Sequence, residues 1–210
     1  MTTHETTVFV VDDDEAVRDS VGLLLESAGF PVRTYESATA FLKSVSGESI
    51  GCVLTDVRMP ELDGLELQRR LAGIGVTLPV IVMTGHGDVP IAVEALKAGA
   101  ADFLEKPFDD AQLLAAVSSA LASGQRARDE AAVVAAIAIR LASLTPRERE
   151  VLDRLVLGQP NKTIAYDLGS SPRTVEVHRA RVMEKMGARS LAELVRMVIA
   201  AEVTAAPGKT

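Results

Sequence analysis

The chain has 210 residues, room for one large or two small domains, and its 48% apolar and 24% charged residues exclude a disordered polymer. No apolar run approaches the ~20 residues of a membrane span, no basic cluster precedes Val8, and the lone Cys52 excludes an internal disulfide or a cysteine-built metal site, so a cytoplasmic protein with no membrane partner is expected. The net charge of −7 is uneven: residues 1–142 carry 11 Lys+Arg against 21 Asp+Glu and residues 143–210 carry 11 against 8, which points to two domains and makes the basic end the candidate for nucleic acid.

From Val8 to about Leu121, short apolar runs alternate with segments of helical period. Val8–Val11, Val32–Tyr35, Cys52–Thr55, Val80–Met83 and Asp102–Leu104 are the strand candidates, with Cys52 expected as inert core packing. Intervening helices follow from spacing, as in Val17, Val21, Leu24 and Leu25 or Leu62, Leu65 and Leu71, with Gly29, Gly73 and Gly99 near their C-termini. The pattern predicts a doubly wound α/β domain with a five-stranded parallel sheet.

Asp110–Ser143 has no proline and an alanine-rich composition, and is expected as helix, with residues 123–142 a helical linker. Next come four short helices, the architecture of a small all-α domain over 143–205. Thr145, Pro146 and Glu148 form a capping-box start; a second helix spans Lys162–Leu168; Ser171 and Pro172 open a third that ends near Gly187; and Ser190 caps a fourth.

Asp12, Asp13 and Asp14 follow the first strand and Asp56 closes the third, so their carboxylates gather at the C-terminal edge of the parallel sheet. Clustered carboxylates repel unless a cation joins them, and oxygen-only ligation suits Mg²⁺. Thr84 ends the fourth strand and Lys106 follows the fifth, both on the same rim. Together these positions suit phosphoryl transfer to a carboxylate nucleophile, with the cation, an ammonium and a hydroxyl neutralising the oxygens. His86 is expected as a solvated loop residue.

The segments Val11-Asp12-Asp13, Asp56-Val57-Arg58-Met59-Pro60, Thr84-Gly85 and Lys106-Pro107-Phe108 resemble the receiver domain of two-component response regulators, over about residues 5–122. The resemblance implies that Asp56 accepts a phosphoryl group from a sensor histidine kinase and that Mg²⁺ is held by Asp12, Asp13, Asp56 and the backbone carbonyl of Arg58. It also implies that Lys106 precedes a cis proline and that Thr84 and Phe103 form the switch. Many receivers have tyrosine or histidine at the switch position; Phe103 lacks a polar tip, so a packing output is expected. A Mg²⁺-dependent phosphatase would carry an acid/base Asp two residues after the nucleophile, where this chain has Arg58.

In the third C-terminal helix, Val175, Val182 and Met186 share a core face with His178 and Arg179 at its margins, and His178 is expected to hydrogen-bond within the core. Opposite lie Arg173, Val177 and Ala180, flanked by Thr174, Glu176 and Arg181, a mixture able to meet phosphates, base edges and thymine methyls. Lys162, Lys185 and Arg189 extend the basic surface. The stretches Leu144–Leu152, Gly158–Ala165 and Thr174–Met186 resemble the helix-turn-helix output domain of LuxR and NarL regulators over about residues 143–202; within that group Ser171–Ala180, Asn161–Asp167 and the Thr84–Pro90 loop look most like FixJ-type regulators, so that the resemblance spans the whole chain. The resemblance implies a homodimer when phosphorylated that binds promoter DNA and activates transcription by RNA polymerase. Leu191, Leu194, Val195 and Val198 on the last helix match the dimerising helix of this family, with a core role for some of them equally open.

Overall fold

A computed structural model describes residues 6–85 and 89–205. The chain forms two compact units, residues 1–127 and 128–210. In the first, β1 (Thr7–Val11), α1 (Glu15–Ser27), β2 (Val32–Tyr35), α2 (Ala38–Ser44), β3 (Gly51–Asp56), α3 (Gly64–Gly73), β4 (Val80–Thr84), α4 (Val89–Lys97) and β5 (Asp102–Glu105) alternate strand and helix. All strand pairs are parallel, in the order β2-β1-β3-β4-β5.

The three inner strands are buried along their whole length, as their unbroken apolar runs require, whereas β2 and β5 at the edges are partly exposed. One layer of core packs α2, α3 and α4 on the sheet through Phe9, Phe41, Leu67 and Leu71; the other packs α1 and α5 (Asp110–Ala142) through Val21, Leu25, Leu113 and Val117. Cys52 is fully buried in β3 and burial pushes its thiol up to about 12, so it is no nucleophile at neutral pH.

Helix boundaries follow local chemistry. Asp14 caps α1 by accepting from Ala16 and Val17 N–H, Ser37 caps α2 and Asp63 caps α3. Gly73 is the last residue of α3, near its C-terminus as expected, and the left-handed turn that follows falls on Gly75 (φ 74°).

The segment expected as a linker belongs to one 33-residue helix, α5, and the division between units falls within it at Ala127/Arg128. Its last turns contribute Ile137, 5% exposed, to the core of the second unit, with Leu141 packed against it. That core is completed by α6 (Pro146–Val156), α7 (Asn161–Asp167), α8 (Pro172–Met186) and α9 (Leu191–Ala205), through Val151, Leu155, Ile164, Val175, Val182 and Leu194. Both halves of the Thr145/Glu148 capping box are formed. Of the four apolar positions expected on α9, Leu194 and Val198 are buried in the core and Leu191 and Val195 are half-buried, while Ile199 and Val203, outside that set, are exposed. Among the described residues, no helix is long and apolar enough to cross a membrane.

Candidate functional site

The strand order reverses between β1 and β3, the point where open α/β sheets place their sites. Register pairs Val11 with Thr55, so the residues that follow, Asp12 and Asp56, emerge side by side. Asp56 also pairs with Met83 and Thr84 with Glu105, which brings Thr84 and Lys106 to the same edge. The Lys106–Pro107 peptide is cis, as the resemblance implies.

Lys106 joins the two carboxylates. Its Nζ lies 2.8 Å from Asp12 Oδ2 and 2.5 Å from Asp56 Oδ1. The second oxygens are held by backbone: Asp14 N–H donates to Asp12 Oδ1 at 2.9 Å and Arg58 N–H to Asp56 Oδ2 at 2.6 Å. Arg18 donates to the Asp12 carbonyl at 2.7 Å, fixing the turn after β1 that carries Asp12.

The electrostatics follow from burial. Desolvation pushes the Asp56 carboxyl above its ordinary value, Lys106 pulls it back, and the like charge of Asp12 pushes it up again, so that it stays raised. For Lys106, burial acts to lower the value, but its bonds to Asp12 and Asp56 outweigh this and raise it. One ammonium thus faces two carboxylates, and the pair retains an uncompensated negative charge.

That excess, together with hard oxygen donors, is the chemistry a divalent cation such as Mg²⁺ satisfies. The structure brings together only part of the expected ligand set. Asp12 is buried beside Asp56, but the Asp13 side chain is exposed, Asp14 is used as the α1 cap, and no group of three or more His, Cys, Asp or Glu side chains is disposed around a metal position among the described residues. A groove of about 650 Å³ opens beside the pair, lined by Asp13, Arg58, Met59, Asp63, Arg69 and Glu94.

Gly64 is a site residue that the sequence reading missed. A Cβ there would stand 2.4 Å from the Asp56 carbonyl oxygen, and Gly64 N–H donates to the Val57 carbonyl at 3.0 Å. The Asp63-Gly64 pair at a helix start was the available signal. Thr84 is 2% exposed, while Phe103 on edge strand β5 is 37% exposed beside an 800 Å³ groove toward α5. His86 lies outside the described residues.

In the second unit, α8 turns Arg173, Thr174, Glu176, Val177, Ala180 and Arg181 to solvent and buries Val175, Val182 and Met186. Lys162 on α7 and Arg189 after α8 are also exposed. Two expected contacts are otherwise engaged. Arg179 is half-buried and donates to Asn161 Oδ1 at 3.3 Å. Lys185 is no free cation: its Nζ lies 2.6 Å from Glu148 Oε2 and 3.1 Å from the Ser143 carbonyl, because Glu148 is buried and requires a partner. The expected core hydrogen bond of His178 is absent at Nδ1, which is buried without a partner.

Comparison with known proteins places both units. Residues 8–118 match the response regulator receiver domain and residues 142–198 the bacterial regulatory proteins of the luxR family. The transcriptional regulatory protein FixJ of Azorhizobium caulinodans is 57% identical over 204 residues, covering 97% of this chain and 96% of the relative. FixJ of Bradyrhizobium diazoefficiens is 53% identical over 194 residues, covering 92% and 95%. Among solved structures, the response regulator StyR is 43% identical with a TM-score of 0.82, covering 93% of this chain and 98% of that one. Full-length FixJ from B. japonicum is 52% identical with a TM-score of 0.59, covering 96% and 99%. With both units matched in the same order along nearly its whole length, the chain belongs to the FixJ-type response regulators of two-component systems, in which a receiver domain is joined to a LuxR-type DNA-binding domain.

Proposed function

We propose that a cognate sensor histidine kinase phosphorylates this chain on Asp56, and that the phosphorylated chain dimerises, binds promoter DNA and activates transcription by RNA polymerase in the cytoplasm. The observation that carries the reading is the Lys106 ammonium held between Asp12 and Asp56 at the point where strand order reverses.

An Asp56 carboxylate oxygen attacks the phosphorus of the kinase phosphohistidine; the P–N bond breaks as the O–P bond forms, and the departing imidazole keeps the electron pair and takes up a proton. Lys106 neutralises phosphoryl oxygens, and the Thr84 hydroxyl donates to them once they are in place. Asp12, Asp13, Asp56 and the Arg58 carbonyl would hold Mg²⁺, which supplies further charge neutralisation when bound. Water later cleaves the acyl phosphate, releasing inorganic phosphate and restoring the carboxylate, so the chain's only catalysis is on itself.

Movement of Thr84 toward the phosphoryl group opens space for Phe103, which is partly exposed and without a polar tip, and the output is a change of packing on that face. On DNA, Arg173, Thr174, Glu176, Val177, Ala180 and Arg181 face the groove, Arg179 borders it, and Lys162 meets the phosphate backbone.

The test is treatment of wild type and Asp56→Asn with acetyl phosphate and Mg²⁺, followed by intact mass and DNA affinity at fixed salt. Wild type alone should gain one phosphoryl group and bind more tightly. Equal binding by both would remove Asp56 as the gate.

A further inference from the structure

We propose that Lys185 and Arg140 are positioning residues for DNA recognition, clamping the C-terminal end of α8 to the α5–α6 junction so that its reading residues are held in one orientation. The proposal rests on α8 being the helix that reads DNA.

Three short segments of the second unit converge here. Arg140 Nη1, in the last turn of α5, donates to the Met186 carbonyl at 2.9 Å. Lys185 Nζ, in the last turn of α8, donates to the Ser143 carbonyl at 3.1 Å and to Glu148 Oε2 at 2.6 Å. The same Glu148 oxygen accepts the Thr145 N–H at 2.9 Å as half of the capping box that starts α6. One buried carboxylate therefore ties the start of α6 to the end of α8, and its bond to Lys185, then its bond to Thr145 N–H, hold it ionised.

The clamp sits where an orienting contact acts most strongly. The α8 core stripe is Val175, Val182 and Met186, and apolar packing of this kind resists separation without fixing direction. Hydrogen bonds to a charged group are directional and roughly twice as strong as neutral ones. The reading positions Arg173, Thr174 and Val177 lie at the far end of a 15-residue helix. Such a helix is about 22 Å long, so a tilt of about 5° at its C-terminal end moves its first turn by about 2 Å. Both cations also lie near the negative end of the α8 dipole, and Gly187 (φ 67°), which closes the helix, leaves room for Arg140: a Cβ there would stand 3.1 Å from its Nη1.

The competing role for Lys185 is direct contact with a phosphate, and the two differ in salt dependence. A lost phosphate contact weakens binding to every duplex and lowers the slope of log affinity against log salt by about 1. A lost orienting contact weakens binding to the preferred duplex and leaves the slope in place.

The experiment uses the full chain, with Mg²⁺ and acetyl phosphate in every arm. The probes are a duplex enriched by wild type from a random pool and an unselected duplex. Lys185→Met and Glu148→Gln should each weaken binding to the enriched duplex about tenfold, the scale of one lost base contact. The double variant should lose no more than the larger single loss. Binding to the unselected duplex and the salt slope should stay as in wild type, and Lys185→Arg should restore most of the loss. Arg140 is exposed, so Arg140→Met leaves the core intact and carries the test should the buried pair prove necessary for folding; a loss of about threefold with the same signature is expected.

A reduced slope with equal loss on both duplexes in Lys185→Met would overturn the proposal in favour of a phosphate contact. Wild-type binding by Lys185→Met or Arg140→Met would also overturn it. Arg173→Ala separates the underlying reading: if that variant binds the enriched duplex like wild type, or if wild type enriches none, α8 is not the reading helix and the clamp loses its role with it.

Discussion

Gly64 lies against Asp56 so closely that a single added methyl group would stand 2.4 Å from the Asp56 carbonyl oxygen. The first turn of α3 therefore acts as a backstop to the strand end that carries the acceptor carboxylate. Gly64→Ala must displace either the helix or the strand, at a cost of about 1–3 kcal/mol. We expect the rate of acetyl-phosphate labelling to fall about tenfold, as a shift of the reacting oxygen would require. Urea unfolding and intact mass measure the two effects; a normal labelling rate in a destabilised protein would show that α3 yields and Asp56 does not.

The raised carboxyl of Asp56 has a consequence for stability. A carboxyl whose folded value lies above its unfolded one favours the native state below the unfolded value, and that contribution is lost as pH rises through the folded value. At neutral pH, without Mg²⁺, ionised Asp56 is therefore a net cost. Asp56→Asn should melt higher than wild type at pH 7 in EDTA, and the difference should vanish as the solution is acidified below about pH 4. Thermal unfolding across that range is the measurement, and a lower melting temperature for the variant at pH 7 would reverse the sign.

Glu148 has the opposite sign. Lys185, then the Thr145 N–H, lower its carboxyl to about 2 from the ordinary 4.5, so its contribution is present above about pH 4.5 and is lost as pH falls toward 2. Glu148→Gln should destabilise the second unit by about 1–3 kcal/mol at neutral pH, the scale of a hydrogen bond to a charged group. It should also flatten the acid limb of the urea midpoint followed by circular dichroism.

Phe103 separates chemistry from output. It does not touch the carboxylate pair in the bonds that hold Asp12, Asp56 and Lys106 together. Phe103→Ala should therefore be labelled by acetyl phosphate at a rate within about twofold of wild type, while losing most of the gain in DNA affinity that labelling brings. Labelling kinetics alongside binding at fixed salt distinguish this from a defect in the acceptor site.

Lys162 is exposed on α7, clear of the core stripe of Ile164 and Ala165. Lys162→Ala should weaken binding to all duplexes and lower the salt slope by about 1. Titration against an enriched and an unselected duplex at several salt concentrations gives the answer directly.

What the sequence determined by itself was whatever rests on near neighbours along the chain. Unbroken apolar runs marked the inner strands because both faces of a parallel sheet are covered, and Thr145 with Glu148 announced the start of α6 because a capping box closes within three residues. The helical spacing of Val175, Val182 and Met186 separated the core face of α8 from its outer face for the same reason. Asp12, Asp56 and Lys106 were recognisable as a set because strand ends share one edge of a parallel sheet.

Tertiary structure alone decided which partners those residues meet. Lys185 reads as a surface cation until Glu148, 37 positions away, is buried against it. Leu191, Leu194, Val195 and Val198 share an apolar face in the sequence, but that Leu194 and Val198 are the ones buried in the core depends on which neighbours cover α9. Asp63-Gly64 marks a helix start in the sequence, but the need for glycine at 64 arises from the Asp56 carbonyl passing within van der Waals range, a distance set by how α3 packs on the sheet.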